Sequence, residues 1–501
     1  MHPKCISALG GWTTLALFLL TALAAPAAPA SAAPLPTSPS STRDRLVHWN
    51  RIAIDASGLD HTRPGPGDTW TYGQQVGPGR ASRAMAIVHI AVFEAVNAIA
   101  NQYNSYTGLP AAKAGTSMDS AIAQAAHDAL VAMYPSQRDR IDAALASDLA
   151  QIPMRGRGFG DGVDLGHRAA AAVLAGRAGD GSEIPEPQLG AGWTTSDQPG
   201  HWRQDPISRS TAALGAHWGE VRPFVLTSGD QYRVPPPPSM TGPEYAAAYD
   251  EVRRLGSETS AERTEEQTQI GIYWAYDGTP SLCAPPRLYN QIVVTIADQM
   301  NTDTVSLARL LALVNTAMAD AGIAVWESKY HWDFWRPVTG IREADPNTGP
   351  TGAGDGNADT IGDPGFVPLC APASNTTGPN FTPPFPAYPS GHAGFGGAVF
   401  EVLRRFYGTD AIPFTFVSDE YNGVTTDIGG HVRPLLPRSF ATLSQAEEEN
   451  GQSRIYLGIH WSFDKVEGIA QGRKVADYVF GHAFTLRSKR PHPSPDPTPG
   501  L

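Results

Sequence analysis

The stretch Phe385 to Gly397, which reads FPAYPSGHAGFGG, decides how the second half of this chain is built. Pro386 and Pro389 keep its first residues extended, because proline disfavours the α region for the residue that precedes it. After His392 comes an apolar run with helical spacing, from Phe395 to Phe406. The pattern predicts a loop that turns into a buried helix close to His392.

Ser390, Gly391 and His392 therefore stand at a helix start. The first turn of a helix has unpaired N–H groups and a partial positive charge, which together can bind an oxyanion. Ser390 adds a hydroxyl, and Gly391 adds a backbone N–H that no side chain covers. Taken alone, the pattern is more typical of a helix start with no chemistry.

A second candidate segment runs from Trp326 to Pro337 and contains Lys329 and Arg336. These two cations are seven residues apart, so a helix that ends at Pro337 would present both on one face, with Trp326 three residues before Lys329. A solvated basic face is the alternative. Four further aromatic residues in the same segment favour burial instead, and a buried cation needs an anionic partner.

The third candidate segment runs from Ser453 to Asp464 and contains Arg454 and His460. Asp464 follows His460 by four residues, a spacing that lets the carboxylate accept from the second ring N–H of the histidine. A surface histidine beside an acid is the alternative. Together the three segments offer three cations, a serine–glycine donor pair and two histidines. This set is typical of a site for a phosphate-like oxyanion, in which one histidine bonds the central atom and the other moves protons.

The three segments read K-x6-R-P, P-S-G-H and S-R-x5-H-x3-D. This combination resembles the signature of the phosphatidic-acid-phosphatase superfamily, which contains acid phosphatases and vanadium-dependent haloperoxidases. The chloroperoxidase type is similar over most of residues 320–465, including Phe334-Trp335-Arg336-Pro337 and the run from Ser418 to Asp464. The resemblance implies an all-α fold of two four-helix bundles, with vanadate held in the C-terminal bundle.

The resemblance also implies a role for each matching residue. His460 would be the metal ligand, His392 the acid–base residue, and Lys329 would polarise the bound peroxide. Trp326 and Phe385 would form an apolar halide pocket, and Asp464 would orient His460. The vanadate oxygens would be bound by Lys329, Arg336, Ser390, Gly391 and Arg454. The substrates implied are hydrogen peroxide and a halide, bromide with chloride as a further candidate, and the product is hypohalous acid, with a small organic acceptor possible.

Two other functions use the same residues. A secreted acid phosphatase would use His460 as nucleophile and His392 as general acid. A protein that only captures an oxyanion would need the cations but not two histidines. The apolar positions of Trp326 and Phe385, and the sixty residues between His392 and Ser453, favour the haloperoxidase.

Composition and ends of the chain complete the prediction. The net charge of −12 argues against a nucleic-acid partner. Lys4, the apolar run 13–25 and Ala30-Ser31-Ala32 form a secretory signal, which predicts a secreted, extracellular protein with no stable membrane span after cleavage. Cys283 and Cys370 would then remain as a pair, which favours a disulfide over two buried thiols. The predicted parts are a signal at 1–32, a disordered lead at 33–44, an N-terminal helical half with a Gly/Pro-rich connector at 45–240, a C-terminal helical domain with the vanadate or phosphate site at 241–488, and a disordered proline-rich tail at 489–501.

Overall fold

The computed structural model describes residues 39–153, 157–277, 281–370, 381–427 and 430–487. The predicted signal segment and the predicted tail lie outside these residues. The described part is built from α-helices, which confirms the all-α class. Their bounds are α1 Thr42–Asp60, α2 Pro78–Ala100, α3 Met118–Met133, α4 Arg138–Leu149, α5 Arg157–Arg177, α6 Pro243–Leu255, α7 Glu265–Tyr273, α8 Pro286–Gln299, α9 Thr304–Trp332, α10 Pro337–Arg342, α11 Gly391–Tyr407, α12 Leu443–Tyr456 and α13 Ser462–His482.

The strands in the described residues are very short. A parallel pair joins β1 (Gln188–Leu189) to β2 (Gly192–Trp193), with Leu189 opposite Trp193. An antiparallel pair joins β3 (Phe414–Phe416) to β4 (Arg438–Phe440), with Thr415 opposite Ser439. Neither pair forms a layer of the core.

The helices pack in two groups. In the first group α2, α3 and α5 pack against one another, with α1 and α4 against α3. In the second group α9, α11 and α13 pack against one another, and α12 covers α11 and α13. The two groups meet where α2 lies along α9. This arrangement agrees with the two bundle-like halves that the resemblance implied. The predicted domain boundary at residue 240 falls in the long connection between α5 and α6, and its position stays a prediction.

The central helices are strongly apolar because both of their sides are covered. By length and composition, Pro78–Ala100 and Thr304–Trp332 could cross a membrane, but 89% and 94% of their apolar windows are buried inside the fold. Core helices of folded proteins have this composition as often as membrane spans do. The two helices give only weak support for a membrane span.

Close packing of α11 on α13 brings two of the predicted segments together. A Cβ on Gly472 would collide with the carbonyl oxygen of Gly394, and one on Gly468 would lie 2.7 Å from the carbonyl oxygen of Ser390. Glycines at these positions let the backbones approach. The start of α11 therefore lies beside the start of α13, where His460 and Asp464 are found.

Three predictions about local structure were wrong. Residues 42–44, assigned to the disordered lead, form the first turn of α1, because the Ser41 side chain caps the helix by accepting from Asp44 N. The helix that contains Lys329 ends at Trp332 rather than at Arg336, because Asp333 adopts a left-handed conformation with φ of 50°. The third error is the disulfide.

Cys283 and Cys370 are both free and buried. Cys283 Sγ lies 2.8 Å from Ser57 Oγ, and Cys370 Sγ lies 3.7 Å from Thr382 Oγ1. Each thiol thus behaves as a small buried side chain with its own hydroxyl neighbour, and an even number of cysteines was not enough to predict a bond.

Candidate active site

The start of α11 is organised as the sequence predicted. Ser390 is its N-cap, its carbonyl accepts from Gly394 N at 3.0 Å, and its own N–H donates to the Asp464 carbonyl at 2.9 Å. A Cβ added to Gly391 would lie 3.2 Å from the Trp326 ring, so glycine lets the helix start sit directly on that indole. The backbone N–H groups of the helix start therefore face the buried interior of the second bundle.

His460 is held in one tautomer at the site. Its Nδ1 lies 2.8 Å from Asp464 Oδ2, so the contact predicted from the four-residue spacing is present. Because Nδ1 carries the proton toward the carboxylate, Nε2 is left as an acceptor, and Arg336 Nη1 donates to it at 3.0 Å. Burial, with Arg336, Lys329 and Arg454 nearby, holds the pKa of His460 well below its usual value. The imidazole is neutral, and the electron pair of its unprotonated Nε2 accepts from Arg336.

Asp464 is itself fully buried. It accepts from Trp461 N at 3.0 Å as well as from His460. Burial raises its pKa to about 7, against the opposing effects of Lys329 and Arg336. Its carboxyl group is therefore the acidic partner of the cations on this side of the site.

Arg336 reaches the site although it lies outside the helix of Lys329. It is the N-cap of α10 in an extended conformation, with ψ of 153°. Its Nε donates to the Phe385 carbonyl at 2.9 Å and its Nη1 to the Ile459 carbonyl at 2.7 Å. These bonds tie all three predicted segments together at one guanidinium group.

Lys329 is placed differently from the prediction. Its ammonium donates to the carbonyls of Pro386, Ala387 and Pro389, at 2.9, 2.8 and 2.5 Å. An ammonium has three N–H donors, so all three are used by the loop that leads into α11. Burial and the neighbouring Arg336 hold the pKa of Lys329 well below its usual value. The observed contacts make this residue an anchor of the loop, and its predicted bond to a vanadate oxygen would require the exchange of one of them.

Arg454 and His392 share an acidic neighbour that the sequence analysis missed. Arg454 Nη2 donates to Asp277 Oδ2 at 2.6 Å, and Asp277 Oδ1 lies 3.9 Å from His392 Nδ1. Asp277 follows α7 and is more than a hundred residues from either partner in the chain, so no spacing could indicate it. Its position after the buried aromatic run Trp274-Ala275-Tyr276 was the one available hint.

His392 has the opposite tautomer from His460. Its Nε2 donates to the Ala275 carbonyl at 2.6 Å, which leaves Nδ1 as the free ring nitrogen. Its backbone carbonyl accepts from Tyr289 Oη and Asn450 Nδ2, both at 3.0 Å. Burial, with Arg454 adding to it, lowers the pKa of His392 to about 3. The ring is neutral and rigidly held.

The two predicted pocket rings are in contact. The ring centroids of Trp326 and Phe385 are 4.9 Å apart, and Trp326 also packs on Phe395. The Lys329 ammonium lies 5.1 Å and the Arg336 guanidinium carbon 4.9 Å from the Phe385 centroid. An apolar wall thus stands directly beside two cations.

The donor set fits an oxyanion such as vanadate. Arg336 Nη2 and Arg454 Nε and Nη1 are buried and have no hydrogen-bond partner among the described residues. Leaving a buried donor unpaired costs about 1–3 kcal/mol, and more for a charged group. Among the described residues, Arg454 pairs with Asp277 through Nη2 alone. Several unpaired donors on two neighbouring arginines match an anion with several oxygens.

A cavity of about 540 Å³ opens onto the site. It is lined by site residues of the second bundle together with residues of the first half and of the connector. The lining site residues are Trp326, Phe385, Gly391, His392, Arg454 and His460. These predicted residues therefore share one cavity. Lys329 and Arg336 are not among the residues that line it.

Comparison with known proteins agrees with the vanadate-like oxyanion site that the geometry indicates. Residues 309–489 match the family model described as the VCPO second helical-bundle domain. The chain is 30% identical to the vanadium chloroperoxidase of Curvularia inaequalis over 500 residues, an alignment that covers 84% of this chain and 78% of that protein.

Two solved structures share the fold. A structure described as the first bacterial vanadium-dependent iodoperoxidase superposes with a TM-score of 0.69 at 24% identity, covering 91% of this chain and 100% of the other. A holo-type bacterial vanadium-dependent chloroperoxidase superposes with a TM-score of 0.60 at 16% identity, covering 84% and 96%. The two structures show the shared fold, and the identity to the Curvularia protein over most of its length shows that the chain belongs to the vanadium-dependent haloperoxidase family.

Proposed function

We propose that this protein oxidises halide ions with hydrogen peroxide to hypohalous acid, with vanadate as its cofactor. The observation that carries the proposal is that Arg336 and Arg454 keep three unpaired guanidinium nitrogens at a site that also holds a neutral His460, whose unprotonated Nε2 accepts from Arg336. Family membership supports the same activity. Simple anion capture would not need an imidazole on the site held in a single tautomer.

The residues of this chain would divide the work. Vanadate, when bound, supplies a Lewis acid that activates hydrogen peroxide toward attack by a halide. Arg336 and Arg454 would hold the oxyanion with N–H donors that are already in place, which costs no reorganisation during the reaction. Asp464 keeps Nε2 of His460 unprotonated, so that this nitrogen could bind the metal in exchange for its bond from Arg336.

His392 would handle the proton. His392 lines the cavity, its Nε2 proton is held by the Ala275 carbonyl, and its Nδ1 is left unprotonated. Its pKa is low because the surroundings are buried and positive, and an added anion would raise it. Binding of the cofactor therefore makes His392 a better base at the moment when a proton must be moved.

The halide preference follows from the apolar wall. Beside the rings of Trp326 and Phe385, a halide ion would be poorly hydrated while still close to the charges of Lys329 and Arg336. Weak hydration favours the oxidation of chloride, which is more difficult to oxidise than bromide. We therefore expect chloride to be accepted, with bromide oxidised more easily. Halogenation of a monochlorodimedone-type dye with chloride tests this. A Phe385→His variant should lose chloride activity before bromide activity, and turnover of bromide alone by the unmodified protein would contradict the assignment.

A paired assay tests the central activity against phosphate-ester hydrolysis. The purified protein is assayed for phosphatase activity without vanadate, and for bromide oxidation with vanadate and hydrogen peroxide. We expect saturable bromide oxidation that depends on vanadate and no phosphatase turnover above background. Phosphatase activity with no vanadate-dependent oxidation would overturn the proposal.

We also propose that the protein is secreted. The support is the positive start, the apolar run and the Ala30-Ser31-Ala32 site in the first 32 residues. N-terminal sequencing of protein collected from the medium should begin near Ala33. An intact amino terminus on cell-retained protein would contradict it.

A further inference from the structure

The cavity over the site is larger than the proposed reaction needs. Its volume is about 540 Å³, whereas a water-sized guest takes about 30 Å³. Halide, peroxide and a vanadate would leave most of that space unused. Enclosed sites for organic ligands have volumes of about 300–1,000 Å³.

Much of the remaining lining is apolar and comes from segments that do not belong to the oxyanion site. It includes Val76, Pro78, Leu214, Phe381, Pro383 and Pro384. Leu214 is fixed in this wall, since its carbonyl accepts from Trp326 Nε1 at 3.1 Å and from Tyr330 Oη at 2.9 Å. The connector of the first half thus adds an apolar wall beside the halide pocket, against which an aromatic ring can pack.

The charge at the rim of the cavity is positive. Arg63 lies over the Tyr72 ring, with its guanidinium carbon 4.6 Å from the centroid, and both residues line the cavity. Within the described ranges, Arg63 makes no ion pair. The acidic residue on this wall, Glu186, is already bonded to Arg80 and to Gly215 N. A ligand with an anionic group would therefore find one available cation at the entrance.

A polar atom inside the wall also lacks a partner. Ser208 lines the same cavity, and its Oγ is buried without a hydrogen bond among the described residues. A hydroxyl can donate and accept, so it can bond a polar substituent of a ligand. Apolar walls with a few placed polar groups are the usual composition of small-molecule sites.

We propose that this cavity binds the organic halogen acceptor, and that the acceptor is an electron-rich aromatic carboxylic acid. The carboxylate pairs with Arg63 at the rim, and the ring lies against the apolar walls near Trp326 and Phe385. The inference rests on the proposed function, which supplies hypohalous acid at the oxyanion site. In the transfer, a ring carbon bonds to the halogen as the oxygen–halogen bond breaks, and the ring proton leaves with the hydroxide as water.

Binding is tested first, without halide or peroxide, on protein saturated with orthovanadate, so that the carboxylate of the probe cannot occupy the oxyanion site. The full-length protein is titrated calorimetrically with 3-(4-hydroxyphenyl)propanoate and with its neutral amide, which has nearly the same shape. The acid should bind more tightly than the amide by about fivefold, the size expected for one exposed ion pair. Arg63→Gln should remove this preference. Arg138→Gln changes an exposed arginine on α4 that has no described ion pair and does not line the cavity, and it should keep the preference.

Turnover is tested by competition. Vanadate-loaded protein receives bromide, peroxide and equal amounts of the acid and the amide, and the ratio of brominated products is compared with that from reagent hypobromous acid. The protein should favour the acid, and Arg63→Gln should return the ratio to the reagent value. A protein that does not oxidise bromide fails as a haloperoxidase whatever the calorimetry gives. A protein that oxidises bromide but gives the reagent ratio, or that does not bind the acid in preference to the amide, overturns the acceptor site.

Discussion

Two buried imidazoles stand at the site with their protons on opposite ring nitrogens. His460 donates a hydrogen bond from Nδ1 to Asp464, and His392 donates one from Nε2 to the Ala275 carbonyl. Each ring therefore has one unprotonated nitrogen, Nε2 in the first, where it accepts from Arg336, and Nδ1 in the second. This difference in tautomer is the physical basis for assigning ligand and acid–base roles to residues of the same type.

His392→Gln should separate turnover from binding. Glutamine can still donate to the Ala275 carbonyl but cannot move a proton at the Nδ1 position. Loss of a general acid–base group costs roughly 10²–10⁴-fold in rate, while the affinity for vanadate should change little because the three cations remain. Bromide oxidation and calorimetric titration with orthovanadate measure the two quantities. Full activity in this variant would end the acid–base assignment.

The same variant should change how stability depends on pH. The pKa of His392 is about 3 in the folded protein, against an ordinary value of 6.5. Between these values the unfolded chain binds a proton that the folded protein does not, so this residue makes the protein less stable as the pH falls. As the pH falls from about 6 to about 4.5, the free energy of unfolding of the variant should rise relative to that of the unmodified protein, by up to about 1.4 kcal/mol per pH unit. Urea unfolding without vanadate measures it, and a difference that stays constant with pH would contradict the buried, neutral ring.

Asp464→Asn should weaken vanadate binding through His460. An asparagine amide no longer holds the Nδ1 proton as a carboxylate does, so the ring can shift its proton to Nε2 and lose the electron pair on that nitrogen. Comparable changes at metal-bound histidines cost about 10–100-fold in affinity. Asp477→Asn is the control, because that residue lies on the same helix with 43% of its side chain exposed. Orthovanadate titration of both variants decides the matter, and equal affinities would refute the orienting role.

At the scale of elements, the site depends on how α11, α13 and the end of α9 are placed. The sequence predicted the start of α11 correctly, because Ser390 is a good N-cap and an apolar helical run follows. It placed Arg336 on the wrong element. The rule that a residue before proline avoids the α region applied to Arg336 as well, since Pro337 follows it. No comparable signal in the sequence indicated that Asp333 would adopt a left-handed conformation and end the helix.

Gly472→Ala should disturb the packing of α13 on α11. A methyl group there would collide with the Gly394 carbonyl, and overpacking of this kind costs about 1–3 kcal/mol. Because the start of α11 carries Ser390 and His392, vanadate affinity should fall together with stability. Gly481→Ala is a matched control on the same helix, with nothing near the added Cβ. Thermal unfolding should show a loss for the first variant and a small gain or no change for the second, and a harmless Gly472→Ala would contradict the close helix contact.

At the scale of the whole molecule, sequence reasoning found the motif residues but not their surroundings. The three segments could be found in the sequence from residue spacing, because each contains its own cation or histidine. Asp277 and the connector at Leu214 come from parts of the chain with no motif, and only tertiary packing brings them to the cavity. The disulfide prediction failed for a similar reason, because the number of cysteines says nothing about the distance between them.

The most direct test of the proposed vanadate site is a crystal structure of the protein grown with orthovanadate. We expect one vanadate between the start of α11 and the start of α13, with His460 Nε2 bonded to the metal. The free N–H groups of Arg336 and Arg454 should lie on its oxygens. Vanadate bound elsewhere, or bound at this place without contact to His460 and the two arginines, would contradict the account.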